Sequence, residues 1–519
     1  MSRAYLKIPF RLKSSRVPAA ARQKFLEISR YPSKFLTSLR SKPEPFASKA
    51  NFEIGSSVRV RIAPSPTGRF HIGTARTALF NWLFAKKETG VFILRIEDTD
   101  RERSKKEYEE DIRAGLTWLG LRHDELYRQS ERTDFYERAL KKMLEDKKAF
   151  FCGHTVAELE AEGESQRTAK EPPRHVCSHR DGKRSEGIIR FKNDSTERVT
   201  VRDIIRGDIL YDAKLLGDFS LAKNIREPLY NFAAVVDDSE LKISHVIRGE
   251  DHLPNTPKQI LIDESLGLPI PQWAHLPLLL GADKSKLSKR HGALALLEYR
   301  DVGYLPDAMI NFIALLGWHP KDEVGEVLDR DTLIREFSLE RIQKSGAIVS
   351  AEKLDWLNKE YIKKLSKEEY RNIADSYVSE KIKSEYKPAE FEKAIDAMRP
   401  RVSRLGELDS QLGKIIERVQ YDKAVLLWRG KIAQSDAGDV LDELINLLSN
   451  IQLSEFNAEA VEKYIEPIIQ KRGKGSVLWP LRAALSGRET SLGPYELTDI
   501  LGKEETLERL RIAKRVLAV

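Results

Sequence analysis

The sequence is poor in cysteine and in long apolar runs. Cys152 and Cys177 are the only two cysteines in 519 residues, too few for the disulfide framework of a secreted protein and typical of a reducing compartment. No run of about 18 uninterrupted apolar residues is present, so a spanning helix is excluded on length. The chain is 41% apolar and 32% charged and is long enough for three or more domains. A membrane transporter and a disulfide-rich secreted protein are thereby excluded.

Acidic residues are nearly missing from the first fifty positions. Twelve lysines and arginines stand there against Glu27 and Glu44, a balance of +10 in a chain whose total is +8, which leaves −2 for the rest. Residues 19–30 could form a short basic amphipathic helix, and no apolar core of a secretory signal is present. This composition predicts a mitochondrial transit peptide over residues 1–50 and a mature protein in the mitochondrial matrix. The alternative is a basic RNA-binding arm, which would leave Met1 on the protein in cells.

The patterned part of the chain opens as an α/β domain. An alternating run over residues 57–63 predicts a strand, residues 74–87 predict a helix that ends in two lysines, and residues 90–96 predict a second, mostly apolar strand. A strand, helix, strand unit of this kind suits a parallel, doubly wound sheet.

The organisation changes twice further along. From about 125 to 240 the pattern loses its period and contains short strands at 188–191 and 199–201, which indicates an insertion. Strand-like runs resume at 233–236 and 243–247. From Pro306 onward apolar residues recur at helical spacing, so the C-terminal third is predicted to be all-α. We find no internal repeat of fixed period.

Two segments have the residues needed to bind phosphate. Between the first strand and helix, Gly68 and Gly73 allow a ligand to approach the backbone, and His71 stands where the helix N-terminus would direct its unpaired N–H groups at an anion. The second segment is Lys286-Leu-Ser-Lys-Arg290, a basic cluster between glycines. Either alone is explained by packing or by surface charge. Together they suit transfer at the α-phosphate of ATP with Mg²⁺, and Walker and kinase signatures are absent.

These motifs resemble those of class I aminoacyl-tRNA synthetases in their glutamyl form. Pro64–Gly68 with His71–Thr74 resembles the "HIGH" signature, and residues 286–290 resemble the "KMSKS" loop. Further similar segments are 95–101, 230–238, 245–252 and 478–487, in order and at suitable spacing over about 57–519. The match at 478–487 is to a late segment of the bacterial-type enzymes.

The resemblance implies an α/β plus all-α protein with a class I Rossmann-type catalytic domain. Its first half would span 57–124 and its second half, with the KLSKR loop, 233–330. An inserted α+β domain that binds the acceptor stem would occupy 125–232. A helical stem-contact domain over 331–395 and a helical anticodon-binding domain over 396–519 would follow, where arginines and lysines meet RNA phosphates.

The same resemblance implies a pocket for L-glutamate. An arginine fork meets a carboxylate bidentately, and Arg61 and Arg248 fall at the ends of predicted strands, where doubly wound sheets bind ligands. Glu97 would accept from the substrate ammonium group. A glutamine substrate would leave an arginine facing a neutral amide, so charge selects the substrate. The implied glutamate-binding residues are Arg61, Ala63, Ser65, Glu97, Tyr230, Ala234 and Arg248.

For ATP, the resemblance implies His71, Gly73, Asp251 and Lys289 as binding residues, with His71 and Lys289 catalytic and Lys286 in support. Thr74 stands where the general class I signature has a second histidine, although threonine is usual in the glutamyl enzymes. Leu287 replaces a methionine of similar volume. Asp251 stands where glutamate is commoner and is one methylene shorter, which weakens the assignment of its contact with ribose.

The implied activity is that of a glutamate–tRNA ligase. Glutamate's α-carboxylate attacks the α-phosphate of Mg·ATP, and the acyl group then passes to the 3′-terminal adenosine of tRNA-Glu for mitochondrial translation. A monomer is expected. One alternative is a non-discriminating enzyme that also charges tRNA-Gln. Another is a catalytically silent tRNA-binding factor, which would predict damage to His71, Lys289 or Arg248, and all three are present.

Two C-x-H pairs in the insertion could hold zinc. Cys152 with His154 and Cys177 with His179 offer four ligands, and His175 is near. Some bacterial relatives hold zinc here, but Phe150 occupies the place of one of their cysteines. The sequence therefore makes zinc possible without assigning it, with unliganded loop residues as the alternative.

Overall fold

The computed structural model describes residues 57–287, 294–321, 324–417 and 420–518. The predicted transit peptide and Lys289 lie outside these residues. The described chain forms two compact units, one built from 57–300 and 306–354 and the other from 301–305 and 355–518. No helix in the described ranges is long and apolar enough to cross a membrane.

The first unit contains all the described strands and the first nine helices. Its strands are β1 (Arg59–Ile62), β2 (Val91–Ile96), β3 (Glu125–Arg128), β4 (Ala149–Cys152), β5 (Ile188–Phe191), β6 (Arg198–Asp203), β7 (Gly207–Asp212), β8 (Ser220–Asn224), β9 (Glu227–Pro228), β10 (His245–Gly249), β11 (Gln272–Leu276), β12 (Leu279–Leu280) and β13 (Ala347–Ile348). Its helices are α1 (Ile72–Lys87), α2 (Lys106–Trp118), α3 (Thr133–Glu145), α4 (Val156–Thr168), α5 (Tyr230–Glu240), α6 (Thr256–Leu266), α7 (Leu296–Asp301), α8 (Pro306–Ala314) and α9 (Arg330–Glu336).

A parallel sheet of the doubly wound kind forms the centre of this unit. β1 pairs with β2, β2 with β3, and β10 with β11, all in parallel. Ser244 joins the two sets, because its backbone N–H donates to Arg59 O at 2.9 Å and its Oγ accepts from Arg59 N at 2.9 Å. The strand, helix, strand opening is confirmed as β1, α1 and β2. Their apolar side chains, such as Val60, Phe92 and Leu79, are fully buried between sheet and helix.

The third strand corrects the expected start of the insertion. β3 lies within the segment 125–232, yet Arg95 and Tyr127 are paired in the register of the parallel sheet. Residues 125–128 therefore belong to the Rossmann sheet. The predicted strands at 188–191 and 199–201 are confirmed as β5 and β6. β4, β5, β8 and β9 form an antiparallel sheet, and the β6–β7 hairpin meets β11 through one parallel pair, Asp203 and Trp273.

The prediction of a strand at 233–236 is wrong, since these residues lie in α5. Val235 and Val236, like Ala233 and Ala234 before them, are almost completely buried. A helix buried on all sides shows no polar face, so a short apolar run cannot be told from a central strand by its period. The prediction at 243–247 is confirmed in type as β10, two residues later.

The second unit is helical, as predicted. It contains α10 (Ala351–Lys364, shared with the first unit), α11 (Lys367–Asp375), α12 (Glu380–Ser384), α13 (Pro388–Met398), α14 (Leu408–Ile416), α15 (Lys423–Leu426), α16 (Gln434–Ser449), α17 (Ala458–Arg472), α18 (Lys474–Ser486) and α19 (Pro494–Ala518). The helical spacing seen in the sequence is the buried face of α16, with Val440, Leu441 and Leu444 inside. α19 is interrupted at Gly502, whose φ of 71° suits glycine.

Candidate active site

The predicted site residues come together in one cleft of about 1200 Å³ in the first unit. It opens where β1 and β10 end, which is the edge of a parallel sheet where ligands bind. Arg61 and Arg248 both line it, so the two guanidinium groups share one cavity. The other predicted residues that line the cleft are Ala63, Ser65, His71, Gly73, Glu97, Tyr230, Asp251 and Lys286.

The described lining of the cleft does not include two further predicted residues, Ala234 and Lys289. Ala234 lies one turn after Tyr230 in α5, is 1% exposed, and is absent from the described lining of the cleft. Its small side chain packs in the core, so no contact with a ligand is assigned to it. Lys289 lies outside the described residues, and its assignment stays a prediction.

His71 caps the N-terminus of α1 with its side chain. Its Nδ1 accepts from Gly73 N at 3.1 Å and from Thr74 N at 3.3 Å, so the ring proton is on Nε2. Burial lowers the pKa of His71, with a smaller lowering effect from Lys286 and an opposing one from Asp251. The imidazole is therefore neutral at pH 7, and its one N–H donor, on Nε2, lies beside the helix terminus and 3.3 Å from Thr74 Oγ1, where it suits a phosphate oxygen.

Lys286, at the start of the basic segment, pairs with Asp251, and both residues line the cleft. Lys286 Nζ lies 3.6 Å from Asp251 Oδ2, with both side chains at least half exposed. An exposed pair of this kind adds little stability, and the lysine can exchange the carboxylate for an anionic ligand. His71, Asp251 and Lys286 thus surround one region of the cleft.

Carboxylates compensate two buried arginines beside this region. Arg61 donates to Asp238 through Nε at 3.0 Å and Nη2 at 3.2 Å. Arg95, fully buried in β2, donates to Asp238 Oδ1 at 2.6 Å and to Glu97 Oε1 at 2.9 Å. Burial raises the pKa of Glu97, while Arg95 and Arg61 oppose the rise. Burial likewise works to raise the pKa of Asp238, but the two arginines outweigh it and hold that pKa low.

Arg248 differs because its hydrogen-bond partners are neutral. It donates to Thr256 Oγ1 at 2.8 Å, to His275 Nε2 at 3.2 Å and to Tyr230 OH at 3.4 Å. Its guanidinium carbon lies 4.9 Å from the centre of the Trp273 ring. In the described ranges no carboxylate forms an ion pair with this arginine, which is only 5% exposed. The charge of Arg248 is thus left for a ligand.

Sequence reasoning missed the residues that hold this pocket together. Arg95 is a charged residue in an otherwise apolar strand, His275 stands in another, and Asp238 follows the apolar run of α5. A charge or an imidazole inside such a run signals a buried polar partner. The identity of each partner depends on tertiary contacts and could not be found from spacing.

The four cysteine and histidine residues of the insertion form a second candidate site. Ligand atoms of Cys152, His154, Cys177 and His179 all lie within 4.8 Å of one another. His154 Nδ1 is 3.4 Å from Cys152 Sγ and 3.5 Å from Cys177 Sγ. Phe150 packs against both cysteines in a small apolar cluster, and His154 supplies the fourth donor. Two thiols and two imidazoles at these distances fit a tetrahedral zinc.

Comparison with known families matches nearly the whole described chain. The family model "tRNA synthetases class I (E and Q), catalytic domain" matches residues 57–356, and "Anticodon binding domain" matches 352–514.

Two relatives and one solved structure, each at least 32% identical to this chain, are named as glutamate–tRNA ligases. A glutamate–tRNA ligase of Thermodesulfovibrio yellowstonii is 42% identical over 465 residues, covering 88% of this chain and 98% of the relative. Another from Natranaerobius thermophilus is 40% identical over 487 residues, with coverage of 88% and 98%. The crystal structure of a glutamate tRNA ligase from Elizabethkingia meningosepticum, in complex with its amino acid, superposes with a TM-score of 0.79 at 32% identity and covers 89% of this chain and all of that one.

Proposed function

Because the chain belongs to the glutamate–tRNA ligase family of class I aminoacyl-tRNA synthetases, we propose that it activates L-glutamate with ATP and transfers the glutamyl group to tRNA-Glu. The observation that carries the proposal is the pairing of the arginines. Arg61 is matched by Asp238, whereas Arg248 is a buried cation with neutral partners. A substrate with a second carboxylate supplies the charge that the pocket lacks.

The pocket binds and orients glutamate through groups that are already fixed. Arg248 receives one substrate carboxylate, and Glu97, held by Arg95, accepts from the ammonium group. Burial raises the pKa of Tyr230, so its hydroxyl stays protonated beside Arg248. Glutamine offers a neutral amide to Arg248 and leaves this cation uncompensated, which costs roughly 2–5 kcal/mol of binding.

Adenylate formation needs no protein nucleophile. The glutamate α-carboxylate attacks the α-phosphorus of ATP, the bond to the bridging oxygen breaks, and pyrophosphate leaves. His71 Nε2–H donates to a phosphate oxygen, and the positive dipole end of α1 together with Lys286 supplies positive charge where negative charge develops. Mg²⁺ bound with ATP would neutralise phosphate charge. The family resemblance assigns the same role to Lys289. Positioning and electrostatics therefore carry the rate.

Pyrophosphate exchange with each amino acid, with and without tRNA, tests this function. Exchange with glutamate and with no other amino acid is expected, and exchange with glutamine but not glutamate would contradict it. Charging of separate tRNA-Glu and tRNA-Gln transcripts then decides between a discriminating and a non-discriminating enzyme. Sedimentation of the same preparation tests the expected monomer.

We also propose that the enzyme acts in the mitochondrial matrix. The support is the composition of residues 1–50, with a charge of +10, and the start of the family match at residue 57. A fusion of residues 1–56 to a fluorescent protein should enter mitochondria and lose its N-terminus there. A cytosolic fusion that keeps Met1 would contradict this proposal.

A zinc ion held by Cys152, His154, Cys177 and His179 is proposed for the insertion. The support is the approach of four suitable ligand atoms to within 4.8 Å. Metal analysis of protein purified without chelator should find about one zinc per chain. The substitution Cys177→Ala should remove it, whereas Ser178→Ala, between two of the ligands, should not. Metal-free protein that melts at the same temperature as protein refolded with zinc would contradict the proposal.

A further inference from the structure

Three buried arginines at the ends of parallel strands differ in how their charge is balanced. Arg61 and Arg95 contact Asp238 or Glu97, while Arg248 contacts three neutral groups. Burying a cation without a counter-ion costs free energy. The guanidinium group of Arg248 must therefore be stabilised by hydrogen bonds to other groups. The hydrogen-bond partners of Arg248 therefore influence which substrate the pocket selects.

His275 in β11 is the hydrogen-bond acceptor that faces Arg248 Nε. This imidazole is 0% exposed, and its Nε2 lies 3.2 Å from Arg248 Nε and 3.0 Å from Thr256 Oγ1. A guanidinium N–H can only donate, so Nε2 has to be unprotonated. The proton of the neutral ring is then on Nδ1, which lies 2.6 Å from Asp203 Oδ2.

Asp203 fixes this tautomer from the far side of the ring. Its Oδ2 also accepts from the backbone N–H of His275 at 3.0 Å, and its Oδ1 accepts from Ile205 N at 2.9 Å and Arg206 N at 2.8 Å. Burial lowers the pKa of His275, and Arg248 lowers it as well, against the opposing effect of Asp203. A protonated ring would place a second positive charge against Arg248. The Asp203–His275 pair thus offers a neutral acceptor with a defined orientation.

A carboxylate in the place of His275 would satisfy Arg248 equally well but would neutralise it. The imidazole instead orients the guanidinium, and the negative charge of Asp203 lies on the far side of the imidazole ring from Arg248. Thr256 Oγ1 at 2.8 Å and the Trp273 ring complete the support on neighbouring elements. Arg248 is consequently rigid and still free to pair with a ligand anion.

We propose that His275 and Asp203 are positioning residues that set the preference for an acidic over a neutral amino-acid side chain, by holding Arg248 through a neutral acceptor. This inference rests on the proposed function, because it assigns to Arg248 the carboxylate of glutamate. It adds to that function the source of specificity, two residues that do not themselves touch the substrate.

The test compares two stable adenylate analogues, glutamyl- and glutaminyl-sulfamoyl adenosine, as inhibitors of pyrophosphate exchange. His275→Leu should weaken the glutamyl analogue by about 10–100-fold and the glutaminyl analogue by less than about threefold, with the KM for ATP unchanged. His275→Gln, which keeps a neutral acceptor, should recover the affinity for the glutamyl analogue to within about fivefold of wild type. A loss of packing alone would weaken both analogues together.

A matched control exists in the neighbouring strand. His245 begins β10, contacts Ser244 Oγ at 2.9 Å, and is absent from the described lining of the cleft. His245→Leu makes the same chemical change and should leave the ratio of the two inhibition constants as in wild type. Equal weakening of both analogues by His275→Leu, or none, would overturn the role of His275. Failure of the wild type to exchange with glutamate would instead reject the proposed function itself.

If His275→Leu does not fold, the proposal is tested instead by measuring which nitrogen of the His275 ring is protonated in the wild type. Protein labelled with ¹⁵N-histidine should show one neutral ring protonated at Nδ1 that is missing from the spectrum of His275→Gln. A ring protonated at Nε2, or at both nitrogens at pH 7, would overturn the proposal, since neither form accepts from Arg248.

Discussion

At the scale of single residues, the two nitrogens of His71 have separate tasks. Nδ1 accepts from Gly73 N and Thr74 N and so caps α1, while Nε2–H, 3.3 Å from Thr74 Oγ1, is the ring's donor in the cleft where phosphate is expected. Asparagine is a good N-cap but has no donor at the position of Nε2. The structural and the catalytic task can therefore be separated by one pair of substitutions.

We expect His71→Asn to keep the stability of the wild type and to lower kcat for adenylate formation by about 10²–10³-fold, because only the phosphate donor is lost. His71→Ala should lose the same activity and also about 0.5–2 kcal/mol of unfolding free energy, because the cap is lost. Pyrophosphate exchange and urea unfolding measure the two effects. An active His71→Asn would show that the ring serves as a cap only.

The buried histidines predict how stability depends on pH. Burial, followed by the charge of Arg248, lowers the pKa of His252 from 6.5 to about 4. Between these values the unfolded chain binds a proton that the folded chain does not, so stability falls as the pH falls from about 6.5 to about 4. At about pH 4, the preferential protonation of His252 in the unfolded chain lowers the free energy of unfolding by up to about 3 kcal/mol.

Urea unfolding of wild type and His252→Gln from pH 8 to pH 4 measures this contribution. The difference in unfolding free energy between the two proteins should be constant above about pH 7 and should shift in favour of the variant as the pH falls. His71, His245 and His275, whose pKa values are lowered mainly by burial, act in the same direction and remain in both proteins. A difference that does not vary with pH would contradict the assignment to His252.

At the scale of elements, α5 is fixed by two adjacent carboxylates, Asp237 and Asp238, that share Arg95 and otherwise have different partners. Asp238 accepts from Arg61 of β1 and Arg95 of β2. Asp237 accepts from Gln129 Nε2 at 2.9 Å, Arg132 Nε at 2.6 Å and Tyr136 OH at 2.8 Å. The carboxylate of Asp238 shapes the proposed glutamate pocket, and that of Asp237 joins α5 to α3.

We expect Asp237→Ala to lower the unfolding free energy by about 3–5 kcal/mol, because it leaves a buried guanidinium and two further donors without their acceptor. Asp134→Ala, on α3, is the matched control. Its only ion pair in the described chain is at 3.8 Å with the exposed Arg226, so little change is expected. Urea unfolding measures both variants, and equal effects would contradict the role of burial.

Elements marked by local sequence signals were predicted correctly. Elements defined by their tertiary contacts were missed or misassigned. β1, α1 and β2 were predicted because alternation, a terminal lysine pair and a stopping glycine all lie within forty residues. α5 was mistaken for a strand because it is buried on every side, and β3 was assigned to the insertion because four residues of mixed polarity give no period. The proposed ligand-binding residues were found through the motif resemblance, whereas the roles of Arg95, Asp203, Asp238 and His275 became visible only as contacts in the structure.

At the scale of the whole molecule, positive charge is concentrated at one end of the sequence. Residues 1–50 carry +10 and the remainder −2, although the family match that includes catalysis and anticodon binding covers residues 57–514. Affinity for tRNA in that part must come from lysines and arginines arranged on a face, since there is no excess of charge. The N-terminal segment can add only sequence-independent attraction, which falls steeply with salt.

A chain that lacks residues 1–50 should therefore charge tRNA-Glu with kcat/KM within about threefold of the full chain at physiological salt. The full chain should bind non-cognate RNA more tightly at low salt, and its log affinity should fall more steeply with log salt, because twelve more cations displace counterions. Filter binding across a salt series and aminoacylation of the same preparations measure both effects. If the shortened chain loses charging while its pyrophosphate exchange persists, the segment is an RNA-binding arm that works in the mature enzyme, and the transit peptide is the wrong interpretation.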